Sequence, residues 1–225
     1  GDEASVNIAS VDIGGGTTDL MICNYQPDPK VNIPSLTPTP LFWEGFNIAG
    51  DDIVKRLIEF ILIPQIADAL RNQGGKNIEG TMAYMFGPDL GAQSATHRIK
   101  RRQFVNQIGN AFAHFVLALA HSDDFEAQHV KLGDVFDQEA KPENDLIPYL
   151  NKEIERQAGM PNDSFDLLDI DLHLVPYKIE HSIRDIMDPV VDRLSKLIAQ
   201  FDCDLLLLCG RPSRLSVIQK MFVEA

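Results

Sequence analysis

The chain has 225 residues, 44% hydrophobic and 24% charged, enough for one large domain or two modest ones with a real core. A formal net charge of −13 argues against nucleic acid or an anionic membrane as the main partner. A small anionic ligand stays open, because backbone dipoles can hold phosphate inside an acidic protein.

Cys23, Cys203 and Cys209 show no paired spacing and read as reduced core residues. The acidic start "GDEASVNIAS" carries no secretory pattern, and the apolar run "AFAHFVLALA" is too short to span a bilayer. A cytoplasmic chain is expected. The chain also lacks an initial methionine and stops soon after an apolar helix begins, which reads as a fragment of something longer.

From the N-terminus, "VNIASVDI" and "LMICNY" are rich in strand formers, and the glycines between them predict a hairpin. Pro27, Pro29, Pro34, Pro38 and Pro40 then predict loop or edge structure, with "LFWEGFNI" as a third strand. From Asp51 the apolar period becomes helical through Ile53, Leu57 and Ile61, and Pro64 is expected to end or kink that helix. Residues 72–96 read as loop. Phe104, Ile108, Phe112, Phe115 and Leu119 form a helical stripe, in which His114 reads as a satisfied core histidine.

Residues 122–142 have no clear pattern. "LIPYLNKEIERQ" reads as helix and "FDLLDIDLHLV" as a strand, with Asp169, Asp171 and His173 on one face and leucines on the other. That polar face reads as solvated, with a divalent-cation site as the alternative. A helix from about Tyr177 to Phe201 leads into "DLLLLCG", a buried strand type, then a turn at Gly210–Ser213 and a last helix. The ends of the chain are therefore α/β material and the middle mostly helical. This predicts a core from residues 1–50 and 177–225, with residues 51–176 inserted.

The chemistry concentrates in "VDIGGGTTDL". Gly14, Gly15 and Gly16 can adopt positive φ and turn several N–H groups toward one point, where a phosphate could approach. Asp12, at the end of the first strand, suits a magnesium ion. Thr17 and Thr18 add hydroxyls, and Asp19 a second carboxylate. A phosphate-binding lysine motif is missing, and a strand rather than a helix follows, so this is not a P-loop. Gly50 marks a helix start whose free N–H groups can face an anion and reads as a cofactor contact, whereas Asp51 and Asp52 read as capping. At the end of the last strand, Gly210 and Arg214 read as ligand contacts. Arg211 suits stacking on a base or pairing with phosphate, and Ser213 is either a contact or a helix cap. Lys100, Arg101 and Arg102 form a basic cluster, either a solvated face or a flank to a nucleotide.

"VDIGGGTTDL" resembles the second phosphate motif of the actin, sugar-kinase and seventy-kilodalton heat-shock chaperone ATPase superfamily. "FNIAGDDIVKRLIEF" resembles the helix start that follows it, and "LLLLCGRPSRLSVIQKMF" resembles the adenosine motif, in the same order. The resemblance implies a ribonuclease H-like α/β core with a mainly helical insertion, the second of two lobes that close on Mg-ATP. The first lobe would lie outside this chain. It further implies that Asp12 orients the metal or the attacking water, with Asp19 beside it. Gly14 to Thr17 would cradle phosphates, and Gly210 with Arg214 would line the adenosine. The wording "DIGGGTTDL" with "CGRPSRLSVIQ" looks most like the bacterial SrfB-type virulence factor family. The rival expectation is a pseudo-ATPase that keeps the fold as a scaffold for an unidentified protein partner. A phosphotransferase is the weaker third.

Overall fold

A computed structural model describes residues 5–27, 36–88, 91, 93–122, 124–136 and 141–225. Contacts divide the chain into two units, Gly1–Ile53 with Glu180–Ala225, and Val54–Ile179. The expected breaks at Pro29 and Pro34 lie outside the described residues.

The first unit is built on a four-stranded sheet. β1 (Val6–Ile13) and β2 (Thr18–Pro27) form an antiparallel hairpin in which Ile13 faces Thr18 and Asp12 faces Asp19. β3 (Leu36–Phe46) pairs with β2 at one edge, and β6 (Leu205–Cys209) runs parallel to β1 at the other. The order is β3-β2-β1-β6. β3 begins earlier than "LFWEGFNI" suggests and takes in Pro38 and Pro40. An edge strand tolerates them because its outward N–H groups have no ladder partner to lose. The register with β2 shifts by one residue between Ile22 and Cys23.

Helix α7 (Pro176–Gln200) supplies the crossover into β6, and α8 (Ser216–Glu224) follows it. A parallel neighbour cannot be reached by a tight turn, so a helix of this kind is required. Alternation along the strands sorts the sheet into two faces. Ala9, Val11, Ile13, Leu20 and Ile22 are fully buried on one, in a core with Val190, Val191, Leu194, Ile218 and Met221 of the two helices. Arg193 of α7 pairs with Glu44 and lies 5.1 Å over the Phe46 ring, so α7 lies on the face that carries Phe42, Glu44 and Phe46. Arg184 ties the helices together through Glu180 on α7 and, at 3.0 Å, Glu224 on α8. The hydrogen bond that Arg184 donates to Glu180 leads the effects that push its guanidinium above the usual range.

The other face stays open. Met21, Trp43, Leu205 and Leu207 are all more than two-fifths exposed, Trp43 by 68%. This corrects the reading of "DLLLLCG" as fully buried: β6 is an edge strand with helices on one side only, so alternate leucines face out. Cys209 is likewise exposed and Cys203 half-buried, leaving Cys23 as the core thiol. Burial, with Asp204 and Asp202 nearby, pushes the Cys203 thiol up.

The second unit is mostly helical. α1 (Gly50–Leu57) runs through a π turn (Ile58–Leu62) into α2 (Ile63–Asn72), and Pro64 sits harmlessly in the first turn of α2. Residues 72–96 are not simply loop: α3 (Ile78–Phe86) lies there, burying Ile78, Thr81 and Met85 at helical spacing beneath a glycine-rich composition. α4 (Ala95–Gln103) begins at Ser94, whose hydroxyl accepts from the His97 N–H, and a second π turn (Phe104–Gly109) leads into α5 (Asn110–Leu119). β4 (Gln128–Lys131) pairs antiparallel with β5 (Asp171–Leu174), and α6 (Leu146–Ala158) lies between them in sequence. The expected strand across residues 165–175 is shorter than its alternation suggests, because Leu167–Asp169 form a 3-10 turn capped by the Asp166 carboxylate.

Histidine roles are reversed from expectation. His114 is exposed, two residues from each of the buried Phe112 and Val116 and so across the helix from them. The buried histidine is His97, stacked on Tyr84 at 4.2 Å. Its Nε2–H donates to the Tyr84 carbonyl, which can only accept, so Nδ1 accepts from the Tyr149 hydroxyl at 3.0 Å. The basic cluster is also used locally. Lys100 pairs with Asp145 at 2.8 Å, and Arg101 reaches Gln93 Oε1 and the Gly87 carbonyl.

The Lys100 hydrogen bond holds the Asp145 carboxyl below its usual range. A carboxyl depressed by folding adds stability above its unfolded value, about 3.9, and loses it as pH falls through the folded value. Asp145→Asn should therefore lower the melting temperature at pH 7, with the gap to wild type narrowing as pH falls below about 4. Thermal melts at pH 7, 5 and 3 check this.

Candidate functional site

The glycine loop sits where β1 ends. Ile13 and Thr18 close the hairpin ladder, leaving Gly14–Thr17 as a four-residue loop in which the Gly14 N–H donates to the Thr17 carbonyl at 2.8 Å. The Gly14 and Gly15 carbonyls accept from the N–H groups of Gly50 (3.0 Å) and Asp51 (2.7 Å) at the start of α1. That start is thus satisfied by the loop rather than free for an anion, and Asp52 caps it by accepting from the Ala49 N–H at 3.0 Å.

Peptide planarity then decides what the loop presents. A trans peptide points its N–H opposite to its C=O. With the Gly14 and Gly15 carbonyls directed at α1, the N–H groups of Gly15 and Gly16 point away from it. Among the described residues nothing accepts from the N–H groups of Gly15, Gly16 or Thr17. They form an exposed crest of donors.

None of the three loop glycines has positive φ. Their requirement is clearance, which corrects the expectation of left-handed backbone. A Cβ on Gly14 would stand 3.1 Å from the Thr17 carbonyl oxygen, and one on Gly15 would stand 3.3 Å from Asp51 Oδ1. A Cβ on Gly16 would meet nothing within 4 Å, so that position opens onto the space above the crest.

Gly210, by contrast, has a positive φ of 88°. A Cβ there would lie 2.0 Å from the Ile13 carbonyl oxygen and 2.9 Å from Asp12 Oδ1. The turn after β6 is therefore seated directly on the end of β1. Pro212 of the same turn reaches Gly50, where a Cβ would stand 3.0 Å from the proline ring and 3.1 Å from the Gly14 carbonyl. Segments nearly two hundred residues apart in sequence thus meet around one loop.

The carboxylates share the open face of the sheet. Asp12 lies between Asp19 on β2 and Cys209 on β6 in register, and its carboxylate makes no hydrogen bond among the described residues. Asp19 is steadied by the Thr17 hydroxyl, which donates to Oδ2 at 3.1 Å, and lies against Gly45, where a Cβ would stand 3.0 Å from Oδ1. Like charges directly opposite on a sheet repel. Among the described residues no group of three or more histidine, cysteine or acidic side chains forms a ready metal cage; Asp12 and Asp19 stand as two carboxylates opposite each other on neighbouring strands.

The remaining expected residues divide. Arg211 and Arg214 are exposed on the turn, and their guanidinium groups make no hydrogen bond or ion pair among the described residues. Thr18 is fully buried and its hydroxyl donates to the Ile48 carbonyl at 2.7 Å, so it ties the hairpin to the segment before α1. Ser213 is buried, with its hydroxyl donating to the Gly210 carbonyl at 2.8 Å. It shapes the turn, and the cap position of α8 is Leu215 instead. Sequence reasoning missed Gly45 as a packing partner of the site, for which the glycine inside a strand was the available signal; Pro212, legible as fixing the turn, also packs on Gly50.

Gly210→Ala should destabilise the protein by roughly 3 kcal/mol or more, because left-handed φ and a backbone collision act together. Gly16→Ala should stay within about 1 kcal/mol of wild type. Urea denaturation of both variants checks the contrast.

Among the described residues no helix is long and apolar enough to cross a membrane. No curated protein matches the chain. The model of one family, described as virulence factor SrfB, matches it over residues 1–225. A match along its whole length makes the chain a member of the SrfB virulence factor family.

Proposed function

We propose that the first unit is a nucleotide half-site, the second lobe of an actin- and chaperone-like ATPase built on a ribonuclease H-like core. The observation that carries this reading is the seat of Gly210 on Asp12 and Ile13, which brings the turn bearing Arg211 and Arg214 beside the donor crest of Gly15, Gly16 and Thr17. The β3-β2-β1-β6 order, three antiparallel strands and a parallel fourth after a helix, supports the same core.

The residues fit Mg-ATP. Backbone N–H groups with no competing Cβ suit phosphate oxygens. A hard cation takes carboxylate and phosphate oxygens together, which suits the Asp12–Asp19 pair. The bound magnesium would supply charge neutralisation at the phosphates. Arg211 and Arg214 carry the charge and planarity to contact a base or a phosphate. Thr18, Gly50 and Ser213 act behind this surface by holding the loop and turn in place. The other half of the nucleotide's surroundings comes from residues outside this chain, and lobe closure completes the site.

A scaffold reading has its own observation, the open apolar sheet face around Trp43 and Met21. One experiment separates the two. Titrate Mg-ATP into the intact protein that contains residues 1–225, alongside Asp12→Ala and Gly16→Val. The nucleotide reading expects saturable binding that falls at least about tenfold in each variant, with melting temperature held in Gly16→Val. Absence of Mg-ATP binding by the intact wild type leaves the scaffold alone. Steady phosphate release then separates an ATPase from a protein that only binds.

A further inference from the structure

We propose that the β4–β5 ribbon of the second unit carries a two-histidine site for a divalent transition-metal ion of the zinc class. His129 and His173 are directly opposite each other on the two strands. Their rings are stacked with centroids 4.5 Å apart and planes within 5°. Neither is part of the nucleotide site.

Three further facts prepare this pair for a metal. First, the His173 N–H donates to Gln65 Oε1 at 2.6 Å, outside the ribbon. The two histidines therefore do not exchange backbone hydrogen bonds and form the closer type of cross-strand pair, with Cα atoms about 4.5 Å apart. Gln65 is itself held, its Nε2 donating to the Ile61 carbonyl at 3.0 Å, so β5 is anchored at this residue.

Second, His129 Nδ1 lies 2.9 Å from Asp171 Oδ2. A carboxylate accepts, so the neutral imidazole must present Nδ1–H to it, which leaves the Nε2 lone pair for a ligand. A carboxylate behind an imidazole is the arrangement that orients metal-bound histidines and raises their basicity.

Third, the spacing matches the metal. Two nitrogens bound tetrahedrally at about 2.0–2.1 Å stand roughly 3.3 Å apart, within the compass of the stacked rings. Parallel planes cannot both contain one ion, so the rings must open toward each other. Both side chains are exposed, His129 by 62%, and have room to do so. Behind them Leu172 and Leu174 are fully buried, which fixes the face on which the histidines project.

The neighbouring charges are accounted for. Lys131 pairs with Asp169 at the next position along the same face, and Asp169 leads the effects that push this lysine up. Lys131 also lies near Asp134 and Asp171, which push it further in the same direction. Imidazole donors select zinc, copper and nickel over magnesium or calcium. With two protein ligands, water fills the remaining positions.

The test is calorimetric titration of Zn2+ into the full chain, free of added histidines, at pH 7.5. One equivalent should bind with submillimolar affinity. His129→Ala and His173→Ala should each abolish saturable binding, Asp171→Asn should weaken it by about tenfold, and His121→Ala should leave it unchanged. Both histidines are exposed, and unchanged melting curves of the metal-free variants separate lost ligation from lost fold. No saturable binding by wild type overturns the site. So does binding that survives both histidine substitutions, which would place the ion elsewhere.

Discussion

The close approach of Gly210 to the end of β1 is the constraint on which the first unit depends. β1 is shared by an antiparallel partner, β2, and a parallel one, β6, and both registers reach Asp12. A turn leaving β6 must clear the Ile13 carbonyl at once, and only a residue without Cβ, in left-handed conformation, can do so. From that seat the rest follows by contact. Pro212 packs on Gly50, Gly50 donates to Gly14, Asp51 donates to Gly15, and Ser213 closes the turn on Gly210 itself. The loop is exposed at its crest yet held from below by two segments, the start of α1 and the turn after β6.

The same constraint explains why the loop's donors point outward. Carbonyls turned toward α1 leave their partner N–H groups no direction but away from it. A glycine hairpin with carbonyls facing solvent would have the opposite polarity and repel a phosphate. Here the polarity is set by two hydrogen bonds to α1, so the start of that helix acts as a clamp rather than as an anion site.

Much of this was legible in the residues, for identifiable reasons. The hairpin, the crossover helix and the last strand announce themselves by period and by glycine punctuation, which are local signals. Gly210 and Gly50 could be singled out because a glycine at an element boundary is unusual without cause. What could not be read was direction. Thr18 and Thr17 are adjacent and chemically alike, yet alternation buries Thr18 against the Ile48 carbonyl and exposes Thr17 beside Asp19. Ser213 is equally ambiguous until the turn shows its hydroxyl on the Gly210 carbonyl. The leucines of β6 read as buried on both faces because four in a row hide the alternation that an edge strand imposes. His129 fell in a stretch without clear period, and only the β4–β5 register shows what stands opposite it.

The electrostatics of the loop narrow the kind of ligand it suits. A crest of N–H groups attracts an anion, but Asp12 and Asp19 lie at the adjoining end of the strands and repel one. Two carboxylates attract a cation, but the donor crest beside them does not. Neither an isolated phosphate nor an isolated metal ion satisfies both halves of this surface. A metal–phosphate ion pair satisfies both, with the cation toward the aspartates and the anion toward the glycines, and it relieves the like-charge repulsion between Asp12 and Asp19 as it binds. On the nucleotide reading proposed above, binding of either ion alone would be weak and the two ions would depend on each other. Reciprocity of coupling would then require that nucleotide tighten magnesium by the same factor as magnesium tightens nucleotide.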